Sequence, residues 1–237
     1  EVHDSDGLMV ATGEGEWLWR PLQNPRQVLV TSFATTNPKG FGLMQRDRQW
    51  SSYEDVEARY ERRPSAWVRP LHHWGPGRVE LVQLPTPDET HDNVVAYWVP
   101  QQLPAPGTPL EVSYELAWQG DEQQRPPSAW ATQSRKGVGY TQQSAEALRT
   151  QVQYVVDFTG PALHDLKADA PVKAVVTSDA NGRVLESGVY RNPATGQWRM
   201  TLRIERLQGN QPIELRAFLQ HLQHAVSETW THVILPE

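Results

Sequence analysis

Two acidic segments of the chain carry the residue types that acid–base chemistry requires. Asp88, Glu89 and Asp92 fall between two predicted strands, and Asp4 lies in a second acidic segment ahead of another strand. Hydrolysis of a glycosidic bond uses two carboxyl groups, one protonated as the acid and one ionised as the base or nucleophile. Asp residues in loops also serve turns through hydrogen bonds to the backbone. The residues alone leave both interpretations open.

Several other kinds of catalytic centre lack their residues or spacing. The chain has no Cys, which excludes a thiolate nucleophile, a disulfide framework and a Cys-ligated metal. His221 and His224 lie three positions apart but lack the acidic partner of a zinc-binding H-E-x-x-H pattern. There is no P-loop and no G-x-S-x-G nucleophile elbow. We therefore expect no metal and no cofactor.

Charge and aromatic residues are unevenly distributed. The net charge is −6, and residues 1–118 carry 16 acidic and 10 basic residues, against 12 of each in residues 119–237. No basic stripe is present, so we expect no nucleic-acid partner. Seven of the ten Trp lie in the acidic part. Aromatic rings beside carboxylates suit a neutral glycan, but Trp residues also fill β-sandwich cores, and composition leaves the choice open.

The start of the chain bears on its processing. The first residue is Glu1, and residues 1–7 have neither the basic nor the apolar region of a signal peptide. We expect that such a peptide was removed or that the chain is a piece of a longer protein. No apolar run reaches the roughly 20 residues of a membrane helix, so no membrane segment is expected.

The frequent Pro and Gly residues of the chain favour an all-β fold. Its 19 Pro and 16 Gly separate short runs, several of which alternate polar and apolar residues, as half-buried strands do. The predicted strands are 17–20, 28–33, 42–45, 78–83, 94–99, 110–118, 131–134, 138–142, 151–158, 172–178, 183–190, 197–204, 213–219 and 229–235.

The residue pattern of segment 53–62 differs from that of the strands and predicts a short helix. Ser52 can cap it, and Pro64 can end it. Tyr53 and Tyr60 fall on one face at helical spacing.

A linker is predicted at residues 119–130, which lack apolar periodicity and contain the pair Pro126 and Pro127. Residues 1–118 and 131–237 then form separate domains. The short alternating strands of 131–237 fit an immunoglobulin-like sandwich without the Cys pair.

Eight motifs resemble the periplasmic glucan biosynthesis protein G/D family. They are distributed along the whole chain, and two of them are more similar to the G branch than to the D branch. The motifs are HDSDGL at 3–8, GEWLWRPL at 15–22, GFGLMQRDR at 40–48, YEDVEARY at 53–60, RPSAWV at 63–68, WGPG at 74–77, DETHDN at 88–93 and SETW at 227–230.

The resemblance implies a particular domain organisation. Family members are about twice as long and join a large galactose-mutarotase-like β-sandwich to a smaller Ig-like domain. Residues 1–118 would be the C-terminal portion of the large sandwich, and 131–237 the Ig-like domain. A half-sandwich would expose sheet edges, so we expect the isolated chain to be capable of self-association and its own activity to be in question.

The resemblance also implies a function and roles for individual residues. Family members act in the periplasm on the β-1,2-linked backbone of osmoregulated glucans and resemble inverting endo-β-1,2-glucanases. By motif, the general acid would be Asp92 and the general base Asp4, with Glu89 and Tyr60 in the surrounding hydrogen-bond network. Aromatic walls would raise the pKa of Asp92 by desolvation, which keeps an acid protonated near neutral pH.

Two further expectations concern binding. Trp17, Trp19 and Trp98 are candidates either to stack on pyranose rings or to belong to the core. The alternative to an enzyme is a non-catalytic glycan-binding module that assists the inner-membrane glucan synthase in elongating or releasing product.

Overall fold

The computed structural model describes residues 5–88, 91–137 and 144–236. The chain divides into two compact units, Glu1–Gln124 (unit 1) and Arg125–Glu237 (unit 2). Regular structure in both units is mostly β, which confirms the all-β class. The named fold families of the two predicted domains remain predictions. No helix in the described part of the chain is long and apolar enough to cross a membrane.

Unit 1 contains eight strands in the described residues, and the pairs within each of its sheets are antiparallel. One run of neighbouring strands has the order β2-β1-β4-β5-β8, and a separate sheet has the order β3-β6-β7. The strands are β1 (Gly7–Ala11), β2 (Trp17–Pro21), β3 (Leu29–Thr36), β4 (Gly40–Met44), β5 (Ser65–Pro70), β6 (Pro76–Gln83), β7 (Val94–Pro100) and β8 (Tyr114–Gln119).

The core of unit 1 joins these two sets of strands. Val79 and Leu81 alternate with more exposed residues along β6 and are fully buried. They pack with the inward side chains of β1 and β4, among them Leu8 and Phe41. A Cβ on Gly42 would lie 2.0 Å from the carbonyl oxygen of Ala66, so the close approach of β4 to β5 requires glycine at this position.

Unit 2 is built from a four-stranded sheet with the order β12-β13-β10-β9 and from a second group of strands with the order β11-β14-β16, where β15 pairs with β14. Trp198 and Trp230 are its largest fully buried side chains. The elements are β9 (Trp130–Gly137), α1 (Ala145–Thr150), β10 (Gln151–Thr159), α2 (Pro161–His164), β11 (Val172–Ser178), β12 (Gly182–Arg191), β13 (Trp198–Arg206), β14 (Ile213–His221), β15 (His224–Ala225) and β16 (Thr229–Ile234).

Most predicted strands are confirmed within a few residues at their ends. Apart from the two-residue β15, two strands were not predicted. All five residues of β1 are buried, so β1 lacks the alternation that reveals a half-buried strand. The other, β5, follows Pro64 and ends at Pro70, and Pro residues argue against a strand. The prediction for 138–142 lies outside the described residues.

The predicted helix over 53–62 is wrong. Only one short 3₁₀ turn, Tyr60–Arg62, forms there, and another, Trp50–Ser52, ends just before it. Glu54 and Arg59 both have a φ of 51°, a left-handed conformation that interrupts a helix. Between them, the Asp55 carboxylate accepts hydrogen bonds from two backbone N–H groups at 2.9 and 2.8 Å, so a local turn replaces the helical pattern.

Candidate functional site

A polar network lies where β1 begins, next to the turn after β4 (residues 45–47). The Asp6 backbone N–H donates to the Met44 carbonyl oxygen at 2.9 Å. The Asp6 carboxylate Oδ2 accepts the backbone N–H groups of Arg46 at 2.5 Å and of Asp47 at 2.6 Å. Burial raises the pKa of the Asp6 carboxyl, and the two N–H donors partly oppose that rise.

The Tyr53 hydroxyl also belongs to this network. Its hydroxyl accepts from the side-chain amide of Gln45 at 2.7 Å and donates to the backbone carbonyl of Asp47 at 3.0 Å. The hydroxyl oxygen also lies 3.4 Å from Asp6 Oδ1. Burial, and then the neighbouring charge of Asp6, raise the pKa of Tyr53, so its hydroxyl remains a protonated donor at neutral pH.

Tyr60, predicted to support the catalytic carboxylates, packs beside this network. Its ring centroid lies 5.8 Å from that of Tyr53, and the Arg63 guanidinium stands 4.9 Å from its ring centre. The left-handed residue Arg59 immediately precedes it. Backbone strain of this kind persists only where surrounding contacts impose it, and it is concentrated at functional sites.

A bridging segment (residues 22–24) links the start of β1 to the loop after β6. The backbone N–H of Leu22 donates to the Asp6 carbonyl at 3.0 Å. The next N–H, of Gln23, donates to Gln83 Oε1 at 2.8 Å. The Asn24 side chain donates to the Thr86 carbonyl at 2.7 Å and accepts the Thr86 N–H at 3.0 Å.

The bridging segment places Asp6 close to the loop after β6. Three residues span at most about 10 Å. Asp6, just before β1, and Thr86, in the loop after β6, therefore lie at the same end of unit 1. Asp4 and Glu89 themselves lie outside the described residues.

Asp88 and Asp92, the described acidic residues of the β6–β7 loop, are both exposed. The Asp88 carboxylate lies beside His91, with 2.9 Å between Asp88 Oδ1 and His91 Nδ1. The Asp88 backbone carbonyl accepts the Thr86 hydroxyl at 2.6 Å. These contacts are typical of a turn residue. Asp92 is exposed, so the described residues do not form the aromatic wall that was expected around its carboxyl.

The three Trp residues considered for sugar stacking occupy different environments. Trp19 is 4% exposed, and the Arg46 guanidinium lies 3.5 Å from its ring centre; Trp19 is thus a core residue in this structure. Trp17 is half-buried and stacks on Trp67 with ring centroids 6.0 Å apart. Trp98 is also half-buried, and its role stays a prediction.

Trp98 lines an open groove of about 320 Å³ between β7 and β8. Trp74 lies 5.8 Å from Trp98 and 6.3 Å from Tyr114, measured between ring centroids. Sequence reasoning placed Trp74 in a motif but assigned it no role. Aromatic surfaces in an open groove can stack on sugar rings or be covered by another protein segment.

The residues of the polar network received no role from the sequence. Asp6 was visible as part of an acidic segment, and Gln45 and Tyr53 as parts of long motifs. Only the pairing of β1 with β4 brings them together, and this pairing is not readable from local patterns. Within the described residues, no group of three or more His, Asp or Glu side chains is arranged to hold a metal ion.

Comparison with known proteins assigns the chain to a family. The family model described as "Periplasmic glucan biosynthesis protein, MdoG" matches residues 1–234. Curated proteins named "Glucans biosynthesis protein G" are similar along the chain. The one from Ralstonia nicotianae is 52% identical over 238 residues, covering 100% of this chain and 47% of its own length.

Two further relatives agree with this match. The protein of the same name from Pseudomonas paraeruginosa is 48% identical, and that from Pectobacterium atrosepticum is 45% identical; each match covers 98% of this chain and 45% of the relative. The chain therefore belongs to the periplasmic glucan biosynthesis protein MdoG family, which confirms the resemblance found in its motifs. It spans about half the length of the curated relatives it matches.

Proposed function

We propose that the chain acts in the biosynthesis of osmoregulated periplasmic glucans, on their β-1,2-linked glucose backbone, in the periplasm. In a protein of full family length, its activity would be that of an inverting endo-β-1,2-glucanase. Support for the glucan pathway comes from the family match and from the names of the relatives. The cleavage step is the further part of the proposal.

One observation supports this proposal above all: hydrogen bonds of the bridging segment connect Asp6, in the first acidic segment, with Thr86, just before the second. Asp92 is the proposed general acid and Asp4 the proposed general base. An inverting glycosidase holds its two carboxyl groups about 6.5–9.5 Å apart, with room for the attacking water. Hydrogen bonds from consecutive residues of the bridging segment to Asp6 and to Gln83 support a common site for the two carboxylates.

The roles follow from the chemistry of inversion. Asp92 would give a proton to the leaving glycosidic oxygen, while ionised Asp4 would take a proton from water, directly or through a water chain. Glu89 and Tyr60 are the proposed members of the surrounding hydrogen-bond network. The contact between the Tyr60 and Tyr53 rings supports that role for Tyr60, because it brings Tyr60 next to the network around Asp6.

A non-catalytic glycan-binding module that assists the inner-membrane glucan synthase is the second candidate. It is favoured by the exposure of Asp92, since the described residues form no enclosed pocket around this carboxyl. The aromatic groove lined by Trp74 and Trp98 would then serve binding, and Trp17 would be a further stacking surface.

Association of this chain with itself is proposed on separate grounds. Among the described residues, β8 is an edge strand, and Tyr114, Leu116 and Trp118 are exposed along it. An exposed edge with apolar side chains is a template for pairing with another chain.

The experiment that separates the enzyme from the binding module uses a full-length chimera, in which this chain replaces the matching 47% of the Ralstonia nicotianae relative. Linear β-1,2-glucan is incubated with the chimera, and the lengths of the product chains and the glucan bound are measured. Shortened chains support the glucanase. Glucan that is bound but remains at its original length would replace the glucanase with the binding module.

A further inference from the structure

Three basic residues meet at one end of the four-stranded sheet of unit 2. Strands β9 and β13 both run antiparallel to β10, so their C-terminal ends lie on either side of the start of β10. Lys136 lies near the end of β9, Arg206 ends β13, and Arg149 lies in α1, directly before β10. Together they line the basic groove, whose volume of about 360 Å³ is within the range of small-molecule sites.

Two of these cations lie on the core-facing side of the sheet. Lys136 is directly opposite the buried Tyr154, and opposed residues of a sheet share one face. Arg206 follows the buried Ile204 at a spacing of two, which is the period of one face of a strand. Burial raises the pKa of Tyr154 to about 12, and the charge of Arg206 opposes that rise. The two cations are therefore held at the end of the core of unit 2, not on the outer face of its sheet.

The Arg206 guanidinium is oriented by backbone carbonyls. Its Nη2 donates to the Leu235 carbonyl at 2.8 Å, and its Nη1 lies 3.5 Å from the Gln211 carbonyl oxygen. A guanidinium has five N–H donors, so these two contacts fix its plane and leave further donors for a ligand. The planar group can bind a phosphate or a carboxylate through two parallel hydrogen bonds.

The described residues supply no negative charge to the basic groove. None of its described lining residues is acidic, and none of its three cations forms an ion pair within the described part of unit 2. Other arginines of the same unit lie beside carboxylates, namely Arg135, Arg183, Arg199 and Arg203. Three like charges in one groove repel one another, and a bound anion would offset that repulsion.

We propose that the basic groove binds a small anion that carries phosphate or carboxylate groups. This binding site goes beyond the proposed glucan function and does not rest on it. A β-1,2-linked glucose backbone is uncharged, so it offers no partner for three cations. Linear β-1,2-glucan is therefore expected not to bind in the basic groove.

The test follows the backbone amide resonances of the isotopically labelled chain during titration with inorganic phosphate and, separately, with malonate, at constant ionic strength. The amides of Gly137, Thr150 and Gln151, which line the groove, are expected to shift saturably. Saturation with either anion supports the proposal, and the two affinities show whether phosphate or carboxylate is the preferred group. Linear β-1,2-glucan, titrated in the same way, is expected to leave these three amides unshifted.

Charge-removing variants locate the bound anion. Lys136→Gln and Arg149→Gln change exposed side chains, so both variants should fold. Each is expected to weaken binding about fivefold, which is the effect of one unit charge at about 4 Å in water. Lys173→Gln is the matched control, because it removes the same charge from an exposed position on β11. It is expected to leave the affinity unchanged.

Three results would each overturn the anion site. The first is that neither phosphate nor malonate shifts the groove amides saturably, whether or not the glucan does. The second is that an anion binds, but neither Lys136→Gln nor Arg149→Gln lowers its affinity. The third is that Lys173→Gln weakens binding as much as the two groove variants do, since the effect would then be one of net charge.

Discussion

Asn24 and Thr86 exchange two hydrogen bonds across 62 positions of sequence, with the Asn24 side chain both donating to and accepting from the Thr86 backbone. This pair anchors the β6–β7 loop to the segment that follows β2. The same segment is bonded to Asp6 through Leu22. A short path of hydrogen bonds therefore connects Asp6 with Thr86. These residues lie in or next to the two acidic segments on which the proposed chemistry depends.

Asn24→Ala is expected to loosen the β6–β7 loop. It removes both bonds to Thr86, each worth about 0.5–1.5 kcal/mol, and solvent exposure puts the total near the lower end, about 1 kcal/mol. The Thr86 amide should then exchange faster, and thermal unfolding should begin at a slightly lower temperature. Hydrogen exchange followed by mass spectrometry measures the first effect and calorimetry the second.

Asn181→Ala is the control for this change. The Asn181 side chain donates to the Pro212 carbonyl at 2.9 Å in unit 2. Its loss should lower stability by a similar amount and leave exchange at Thr86 as in wild type. Unchanged Thr86 exchange in Asn24→Ala would show that the loop is held by other contacts.

Glu14 is expected to contribute to stability in a pH-dependent way. The Thr35 hydroxyl, followed by backbone N–H groups, lowers the pKa of Glu14 from 4.5 to about 2. A carboxyl with a lower pKa in the folded state stabilises it above pH 4.5, and this contribution is lost as the pH falls toward 2. Glu14→Gln should therefore be less stable than wild type at neutral pH and lose less stability on acidification.

Urea unfolding at neutral pH and at about pH 3 measures the difference. Glu16→Gln is a nearby control with the same change of charge in the same turn. A parallel loss of stability on acidification in wild type and Glu14→Gln would contradict the assignment of this pKa.

In unit 2, Asp157 should be the charged residue of the β10–β13 pair whose substitution lowers stability most. Its side chain is 5% exposed, and its two oxygens accept from Arg199 at 2.7 and 2.8 Å. Asp157→Ala leaves the Arg199 guanidinium without its main partner, and breaking a buried ion pair in this way costs about 3–5 kcal/mol. Equilibrium unfolding in urea measures the loss.

Arg135→Ala tests the same carboxylate from its exposed side. The Arg135 side chain is 51% exposed, and its Nη1 lies 3.2 Å from Asp157 Oδ2. Removal of this side chain should lower the free energy of unfolding by no more than about 1 kcal/mol. Equal losses in Arg135→Ala and Asp157→Ala would mean that burial does not set the strength of these pairs.

The alternation of residues was enough to predict most strands, as the buried Val79 and Leu81 of β6 show. It failed for β1, because a strand buried on both faces has no polar side. It also failed at 53–62, where Tyr53 and Tyr60 fall at helical spacing but Glu54 and Arg59 adopt left-handed backbone conformations. Here the local turn at Asp55 replaces the helix.

The candidate site was predictable only in part. Motif resemblance pointed to Asp92, Asp4 and Tyr60, because these residues lie within long motifs. The tie between Asp6 and the N–H groups after β4 depends on the antiparallel register in which Gly7 faces Met44. That register is set by the packing of the whole sheet, so no local pattern predicts which amides Asp6 will meet.

Self-association of this chain is expected to depend on β8. Leu116 is 44% exposed on this edge strand. Leu116→Lys places a charge there, which discourages edge-to-edge pairing. Sedimentation velocity over a range of concentrations should show that wild type associates and that the variant stays monomeric.

Leu148→Lys is the control for this substitution, because Leu148 is 47% exposed on α1 of unit 2. It should associate as wild type does. A wild-type chain that stays monomeric at every concentration would contradict association through β8.

The most direct measurement of the central claim compares Asp92→Asn with Asp88→Asn in the full-length chimera, using linear β-1,2-glucan and analysis of product chain length. Asn preserves the shape of Asp92 but has no labile proton to give, so cleavage should fall about 10²–10⁴-fold while glucan binding is kept. Asp88 is engaged with His91 and Thr86 in a turn, so Asp88→Asn should keep most of the activity. Full cleavage by Asp92→Asn, with loss of cleavage in Asp88→Asn, would contradict the assignment of the general acid.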